Sequence, residues 1–163
     1  MQSLFERCWC RENPTPPSVA IRVIEYSETI PFVPNIRGGQ VIKVYDGDTI
    51  TIASTMPYAD SPLYRFQVRL RGIDCPEIHG KTEDEKCIAL CARNEMERLV
   101  MQKEVVLKNI GIEKYGRMLA DVYVDDIHVN DHMLKNRLAV RYSGKTKLSP
   151  ENWKAYYATG SSI

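Results

Sequence analysis

A chain of 163 residues is long enough for one domain with a sizeable hydrophobic core and leaves little for a second domain. Hydrophobic residues make up 44% and charged residues 26%, which argues against a disordered chain. The net charge of +1 gives no general attraction to polyanions, so a nucleic-acid site would require local clustering of basic residues. No apolar run approaches the roughly 18 residues that span a bilayer. The first residues carry charges where a signal peptide is apolar, so we expect an intracellular protein.

The first 36 residues are predicted to be an extension of the main domain, because five prolines interrupt them. From Gln40 the pattern changes to strands joined by the bend Asp46-Gly47-Asp48. Four apolar residues on the two sides of this bend share one parity, as the core-facing residues of paired strands do: Ile42, Val44, Ile50 and Ile52.

A third strand is predicted in "LYRFQVRLRGI" (63–73), after a polar loop over residues 54–62. Phe66, Val68 and Leu70 alternate there with polar residues, which is typical of a strand buried on one face. Gly72 interrupts the alternation and permits a bend just before Asp74.

A helix is predicted to begin at Thr82, because Thr82 and Glu85 have the spacing of a capping box. Its apolar residues form one stripe at helical spacing: Ile88, Cys91, Ala92, Met96, Leu99 and Val100. Two strands, "EVVLKN" and "RMLADVYV", follow. Asn130 is predicted to cap a short helix of about eight residues, and Ser149-Pro150-Glu151 to start a last one. This order favours an α+β domain built on a small antiparallel barrel.

The stretch "RLRGIDCPEIH" (69–79) concentrates reactive side chains. A nucleophilic role for Cys75 with His79 as its base is disfavoured, because the nearby carboxylates of Asp74 and Glu77 would raise the pKa of the thiol. A zinc site is also disfavoured, since Cys75 and His79 have no second ligand pair at a suitable spacing. The other cysteine pair of the main domain, Cys87 and Cys91, is predicted to pack as small buried hydrophobes on the helix.

The carboxylates of this region support a third interpretation. Asp46 and Asp48 lie at a bend between two strands, and Asp74 and Glu77 lie where the third strand ends. If neighbouring strands bring these ends together, their oxygens favour Ca²⁺ or Mg²⁺ over zinc. Each motif alone is compatible with ordinary turn chemistry. The accompanying Arg69 and Arg117 shift the balance toward phosphodiester hydrolysis, in which guanidinium groups and a cation offset charge on the phosphoryl oxygens.

Three motifs in this order resemble the staphylococcal nuclease (thermonuclease) family: "VYDGDTI" (44–50), "VRLRGIDCPE" (68–77) and "EKYGRMLADVYV" (113–124). The resemblance covers about residues 40–143. It implies an α+β fold, an OB-fold five-stranded antiparallel β-barrel with packed helices. It also implies a Ca²⁺-dependent endonuclease that hydrolyses DNA and RNA with little sequence preference and leaves 3′-phosphate ends. We expect this enzyme to act as a monomer.

The resemblance also implies roles for individual residues. Asp48, Asp74 and the backbone carbonyl of Cys75 correspond to the calcium ligands, with Asp46 as a further acid near the metal. Arg69 and Arg117 correspond to the arginines that bind the phosphate in the transition state, and Glu77 to the residue that acts on the attacking water. Three residues correspond to positions that contact the nucleotide: Lys114, Tyr115 and Tyr142. The side chain of Cys75 is then incidental, and His79 is an ordinary loop residue.

The predicted organisation is an N-terminal extension (1–36), a nuclease domain (37–143) and a C-terminal tail with a short helix (144–163). Two other classes of protein remain as alternatives. One is a catalytically silent OB-fold module that binds nucleic acid or a protein, against which the complete set of acids and arginines argues. The other is a structural zinc protein whose ligands would be Cys8, Cys10, Cys87 and Cys91.

Overall fold

The computed structural model describes residues 22–145 and 149–160, which form eight strands, three α-helices and one 3₁₀ turn. In chain order these elements are the 3₁₀ turn Tyr26–Glu28, β1 Gly38–Val44, β2 Thr49–Ser54, β3 Tyr64–Leu70, β4 Ile73–Asp74, α1 Glu83–Val100, β5 Glu104–Ile112, β6 Met118–Val124, β7 Ile127–His128, α2 Val129–Lys135, β8 Val140–Arg141 and α3 Trp153–Thr159.

The described residues divide into two compact units, one that ends at Ile30 and one that begins at Pro31. Within the described part of the first unit, the 3₁₀ turn is held by an ion pair between Arg22 and Glu28 and by the backbone N–H of Glu25, which donates to Glu28. The predicted end of the extension was residue 36, and residues 31–36 belong to the second unit. Cys8 and Cys10 lie outside the described residues.

Five strands close into a barrel in the order β3-β2-β1-β5-β6, and β6 pairs again with β3. This closure confirms the predicted α+β OB fold. Four of the five pairings are antiparallel, and the pairing of β3 with β6 that closes the barrel is parallel. Closing the sheet removes the exposed strand edges that an open sheet would present to other chains.

The parity predicted for the first strand is wrong at one position. Val41 and Val44 are fully buried, whereas Ile42 is only half-buried. The register with β2 shifts between Val41 and Lys43, so an extra residue interrupts the alternation. A bulge of this kind turns the following side chains to the opposite face. In β3 no such shift occurs, and Val68 and Leu70 are buried as predicted, with Phe66 partly buried.

Helix α1 packs its apolar stripe against the barrel and against α2 and α3. Its first residue follows Thr82, whose side chain accepts a hydrogen bond of 3.1 Å from the backbone N–H of Glu85, so the predicted cap is confirmed. The reciprocal bond of a capping box is replaced, because the Glu85 carboxylate accepts from other backbone groups described below. Cys91 is half-buried and Cys87 is exposed, so the prediction that both pack as buried hydrophobes is wrong for Cys87.

Asn130 does not cap α2. The helix begins at Val129, and Asn130 is buried in its first turn. Its amide oxygen accepts from the backbone N–H of Val122, and its amide nitrogen donates to the carbonyl of Arg71 at 2.9 Å, so it joins α2 to strand β6 and to the turn that directly follows β3. The last helix, α3, is capped by Asn152, whose side chain accepts from the N–H of Ala155.

None of the helices in the ranges that the structure describes is both long and apolar enough to cross a membrane.

Candidate active site

Most of the acids and both arginines that the sequence indicated as active-site residues lie at one end of the barrel. The bend between β1 and β2 carries two of the acids, the end of β3 and the strand β4 after it carry an arginine and a third acid, and the turn before β6 carries the second arginine. In chain order these residues are Asp46, Asp48, Arg69, Asp74 and Arg117.

The strand register explains why these distant segments meet. Arg69 on β3 lies opposite Thr49, the first residue of β2, and also opposite Leu119, the second residue of β6. The residues just before β2 and β6 are therefore brought to the two sides of Arg69. Gly72 adopts the left-handed conformation at φ 76°, which lets the chain turn directly from β3 into β4.

Arg69 joins two buried carboxylates. Its Nη1 donates to Asp48 Oδ1 at 2.5 Å, and its Nη2 donates to Asp74 Oδ1 at 3.0 Å. The two carboxylate side chains are 4% and 7% exposed, and that of Arg69 is 14% exposed. The acids of the first bend and of the third strand's end therefore converge, as the sequence interpretation required. The guanidinium of Arg69 offsets part of their charge.

The surroundings of the Asp48 carboxyl change its pKa markedly. Burial, reinforced by repulsion from Asp46, raises its pKa from 3.8 to about 6, although Arg69 and hydrogen bonds from Cys75 and Thr49 act in the opposite direction. The backbone N–H of Cys75 donates to Asp48 Oδ2 at 3.1 Å. The cleft at this end is lined by three carboxylates, of Asp46, Asp48 and Glu77, and by two guanidiniums, of Arg69 and Arg117, so its formal charge is negative and suits a further cation.

The Cys75 thiol has a packing role in this structure. The side chain is buried, and burial followed by the charge of Asp48 raises the pKa of the thiol well above its ordinary value. A thiol of this kind is a poor nucleophile at neutral pH. The buried Cys75 side chain also explains why the bend contains a glycine. A Cβ at Gly47 would lie 2.8 Å from both the Cys75 sulfur and the Ala92 Cβ.

Arg117 is held by Glu113, a residue to which the sequence analysis gave no role. The Nε of Arg117 donates to Glu113 Oε1 across the turn between β5 and β6, and this hydrogen bond is the main reason why the pKa of Arg117 is raised. The signal was present in the motif "EKYGR", whose first and last residues are these two. Arg117 lies directly before β6 and not at its first residue.

Glu77 lies in the loop after β4, at the edge of a small polar cleft. The cleft has a volume of about 170 Å³ and is lined by Tyr45, Asp46, Asp48, Arg69, Cys75, Pro76, Glu77 and Arg117. The Glu85 carboxylate ties this loop to α1, because it accepts from the backbone N–H of Lys81 at 3.1 Å and of Glu77 at 3.4 Å. His79, farther along the loop, lines an adjoining cavity, which shares Tyr45, Asp46 and Glu77 with the cleft.

The three predicted nucleotide-contacting residues are not all in one place. Lys114 and Tyr142 line a cavity of about 460 Å³ that also includes Arg69, whose guanidinium carbon lies 6.0 Å from the centre of the Tyr142 ring. Tyr115 lines a different groove, which includes Arg117. Lys114 Nζ stands 4.8 Å from the centre of the Tyr115 ring, so these two residues still contact each other.

The donor set fits a hard divalent cation in its chemistry. Carboxylate oxygens of Asp46, Asp48 and Asp74 and nearby backbone carbonyls are the ligands that Ca²⁺ prefers. In the part of the chain that the structure describes, no cluster of three or more His, Cys, Asp or Glu side chains is arranged to hold a metal ion. The carboxylates of Asp48 and Asp74 are instead engaged with Arg69.

Comparison with known proteins agrees with this geometry. Residues 67–159 match the model of the family described as staphylococcal nuclease homologue. The chain is 33% identical over 98 residues to an uncharacterized endonuclease of Escherichia coli O157:H7, an alignment that covers 60% of this chain and 56% of that protein. It is 31% identical over 103 residues to an uncharacterized endonuclease of Haemophilus influenzae, covering 63% of this chain and 51% of that protein.

A plant relative gives a shorter alignment. The chain is 29% identical over 72 residues to the rice (Oryza sativa subsp. japonica) protein named probable staphylococcal-like nuclease CAN3, covering 44% of this chain and 18% of that protein. The chain thus spans between about a fifth and just over half of the length of these relatives. The closed barrel places the chain among the OB-fold proteins. The family match covers more than half of its residues, and the chain belongs to the staphylococcal nuclease homologues.

Proposed function

We propose that this protein is a Ca²⁺-dependent nuclease that hydrolyses phosphodiester bonds of DNA and RNA with little sequence preference and leaves 3′-phosphate ends. The observation that carries the proposal is the convergence of Asp46, Asp48, Glu77, Arg69 and Arg117 on one cleft at the end of the barrel. Membership of the nuclease family and the endonuclease names of two bacterial relatives support it.

The cleft residues divide the chemical work. Arg117, whose guanidinium is fixed through Nε by Glu113, donates to the phosphoryl oxygens and stabilises the charge that develops on them. Glu77 orients a water molecule or removes its proton for in-line attack on phosphorus. A divalent cation held by Asp48, Asp74 and the Cys75 carbonyl would supply further neutralisation of the phosphate charge. Arg69 then donates to substrate oxygens with the terminal nitrogens that now serve the carboxylates.

The surroundings of the cleft suit a nucleic-acid strand. Lys114 and Tyr142 offer a cation and an aromatic face in the cavity that shares Arg69 with the cleft. Contacts with phosphates and base faces, rather than with base edges, would give binding with little sequence preference.

One observation favours a second candidate, a catalytically silent OB-fold module that binds nucleic acid or protein. Asp48 and Asp74 already have a cationic partner in Arg69, so the acidic end of the barrel is stable as a closed ion-pair network without catalysis. Under this alternative Glu77 and Arg117 have no chemical task, and their replacement would not affect any turnover.

The experiment that separates these candidates measures hydrolysis of single-stranded DNA, duplex DNA and RNA by purified protein with Ca²⁺ or with chelator. The nuclease proposal expects cleavage with Ca²⁺ only, products ending in 3′-phosphate, and a loss of turnover of at least 100-fold in Glu77→Gln at unchanged unfolding temperature. His79→Gln, in the same loop but outside the cleft, serves as the matched control and should keep full turnover. Cleavage that Glu77→Gln leaves intact would refute the assignment.

A further inference from the structure

A groove next to the cleft contains residues that the proposed reaction does not use. It has a volume of about 300 Å³ and shares Arg117 with the acidic cleft. Its other lining residues include Phe32, Arg65, Phe66 and Tyr115. Phe32 comes from the Pro-containing segment that precedes the barrel, for which the sequence analysis gave no function.

The groove follows from the way in which the barrel closes. Strand β3 begins at Tyr64, but β6 pairs with it only along Val68–Leu70 in the described structure. The first four residues of β3 therefore extend beyond the start of β6, and the turn between β5 and β6 lies across from them. Partly buried Phe66 and buried Met118 form an apolar floor between these two walls.

The segment before β1 forms the outer wall of the groove. Pro34 and Ile36 are buried, which anchors this segment to the barrel. Phe32, two residues before the anchor, is 72% exposed, and Tyr115 on the opposite turn is 73% exposed. Two large aromatic side chains thus border one groove with most of their surface in water, where they gain little from the hydrophobic effect.

The chemistry of the groove selects its ligand. An exposed aromatic ring stacks with any nucleobase, and such stacking requires a base that is not already stacked within a duplex. Arg65 adds a guanidinium outside the cleft, at a position suited to a phosphate that lies beyond the one at Arg117. The groove and the cleft both border Arg117, so a strand whose phosphate binds at Arg117 would have its next nucleotide beside the groove.

We propose that this groove is a nucleotide-binding subsite for a single-stranded nucleic acid. Two nucleotides flank the cleaved bond, and the groove binds the nucleotide that follows them along the strand. The base stacks on Phe32, and the phosphate pairs with Arg65. The inference rests on the proposed function, because it assumes that the cleaved phosphate binds at Arg117. The N-terminal segment would then act as part of the substrate platform.

The test compares substrates of two lengths. With a dinucleotide, which has one phosphodiester bond and does not extend into the groove, Phe32→Ala should hydrolyse as the unchanged protein does. With a single-stranded hexanucleotide, Phe32→Ala should raise KM roughly tenfold at unchanged kcat, the effect expected for loss of one base–aromatic contact. Val33→Ala, a neighbouring exposed apolar residue outside the groove lining, is the matched control and should leave both substrates unaffected.

Arg65→Gln tests the phosphate contact independently. It should weaken binding of the hexanucleotide and reduce the slope of log affinity against log salt concentration by about 0.7, the value for one phosphate contact of a single strand. Binding is measured in chelator by fluorescence anisotropy with a labelled hexanucleotide, in the Glu77→Gln background so that no cleavage occurs.

The outcomes distinguish the two proposals. Absence of hydrolysis by the unchanged protein, together with weaker hexanucleotide binding in Phe32→Ala, would overturn the nuclease proposal and the position of the subsite beside a cleaved bond, while supporting the groove as a binding site for a single strand. Normal hydrolysis with a Phe32→Ala variant that equals Val33→Ala on both substrates would overturn the subsite alone. A Phe32→Ala variant that lowers the unfolding temperature and affects both substrates equally would show that Phe32 packs against its own chain, which also overturns it.

Discussion

Replacement of Arg69 tests the electrostatic account of the acidic end of the barrel. Arg69→Gln removes the cation shared by Asp48 and Asp74, whose side chains are almost fully buried. Removing one partner of a buried ion pair destabilises a protein by about 3–5 kcal/mol, because the remaining charge is left uncompensated. For a chain of this length each 1 kcal/mol lowers the unfolding temperature by about 2–4 °C. We therefore expect a decrease of about 10 °C in chelator at pH 7.

The loss of stability in Arg69→Gln should depend on pH in a defined direction. The pKa of Asp48 in the folded protein, about 6, already lies above its ordinary value of 3.8 while Arg69 is present. Removing the guanidinium raises it further, so the folded variant takes up a proton more readily than the unfolded chain. The stability of Arg69→Gln relative to the unchanged protein should therefore increase as the pH falls from 7 to 5.

The assay is urea unfolding of both proteins in chelator at pH 7 and pH 5, and again with Ca²⁺ at pH 7. The matched control is Arg71→Gln, since the hydrogen bonds of the Arg71 side chain to other described residues go to the backbone carbonyls of Asn109 and Leu119. The control should lose about 1 kcal/mol without pH dependence. Added Ca²⁺ should restore part of the Arg69→Gln deficit by binding the folded state. Equal, pH-independent losses in both variants would refute this reasoning.

Three further predictions concern single contacts. Glu113→Gln should lower kcat 10- to 100-fold, because it weakens the charge-assisted hydrogen bond that positions Arg117; an unchanged kcat would exclude this positioning role. Cys75→Ser should keep full nuclease activity while losing about 1–3 kcal/mol of stability through a buried hydroxyl, as activity assays and urea unfolding will show. The hydrogen bond from Arg98, followed by that from His132, lowers the pKa of Glu95 to about 2. The contribution of Glu95 to the free energy of unfolding should therefore be lost as the pH drops from 4.5 toward 2. Unfolding curves of Glu95→Gln should lack most of this decrease.

Local patterns predicted much of the barrel. Phe66, Val68 and Leu70 alternate with polar residues, so only a strand with this one face turned inward buries them together. The cap at Thr82 depends only on residues within one turn of the helix. The acids of the bend at 46–48 and Arg69 could be associated because three motifs occur in the order of a known family.

The features that were missed depend on partners far away in the sequence. The bulge that buries Val41 instead of Ile42 exists because of the register of β1 with β2, which single-strand alternation does not contain. Asparagine is common at helix caps, but the Asn130 amide bonds to the backbone of Val122 and of Arg71. Val122 lies on another element, and Arg71 is far away in the sequence. The parallel closure of β3 on β6 is likewise a property of the whole barrel.

The amide of Asn130 has a consequence for how heat would inactivate this protein. It bonds to both sides of the seam between β3 and β6, where the backbone N–H of Arg71 also donates to Ala120 at 2.8 Å. Arg69 belongs to one side of that seam and Arg117 to the other. A fluctuation that breaks the pairing of β3 with β6 would separate the two guanidiniums while leaving the other four strand pairings of the barrel intact. Catalytic competence would then be lost at temperatures at which most of the barrel remains folded.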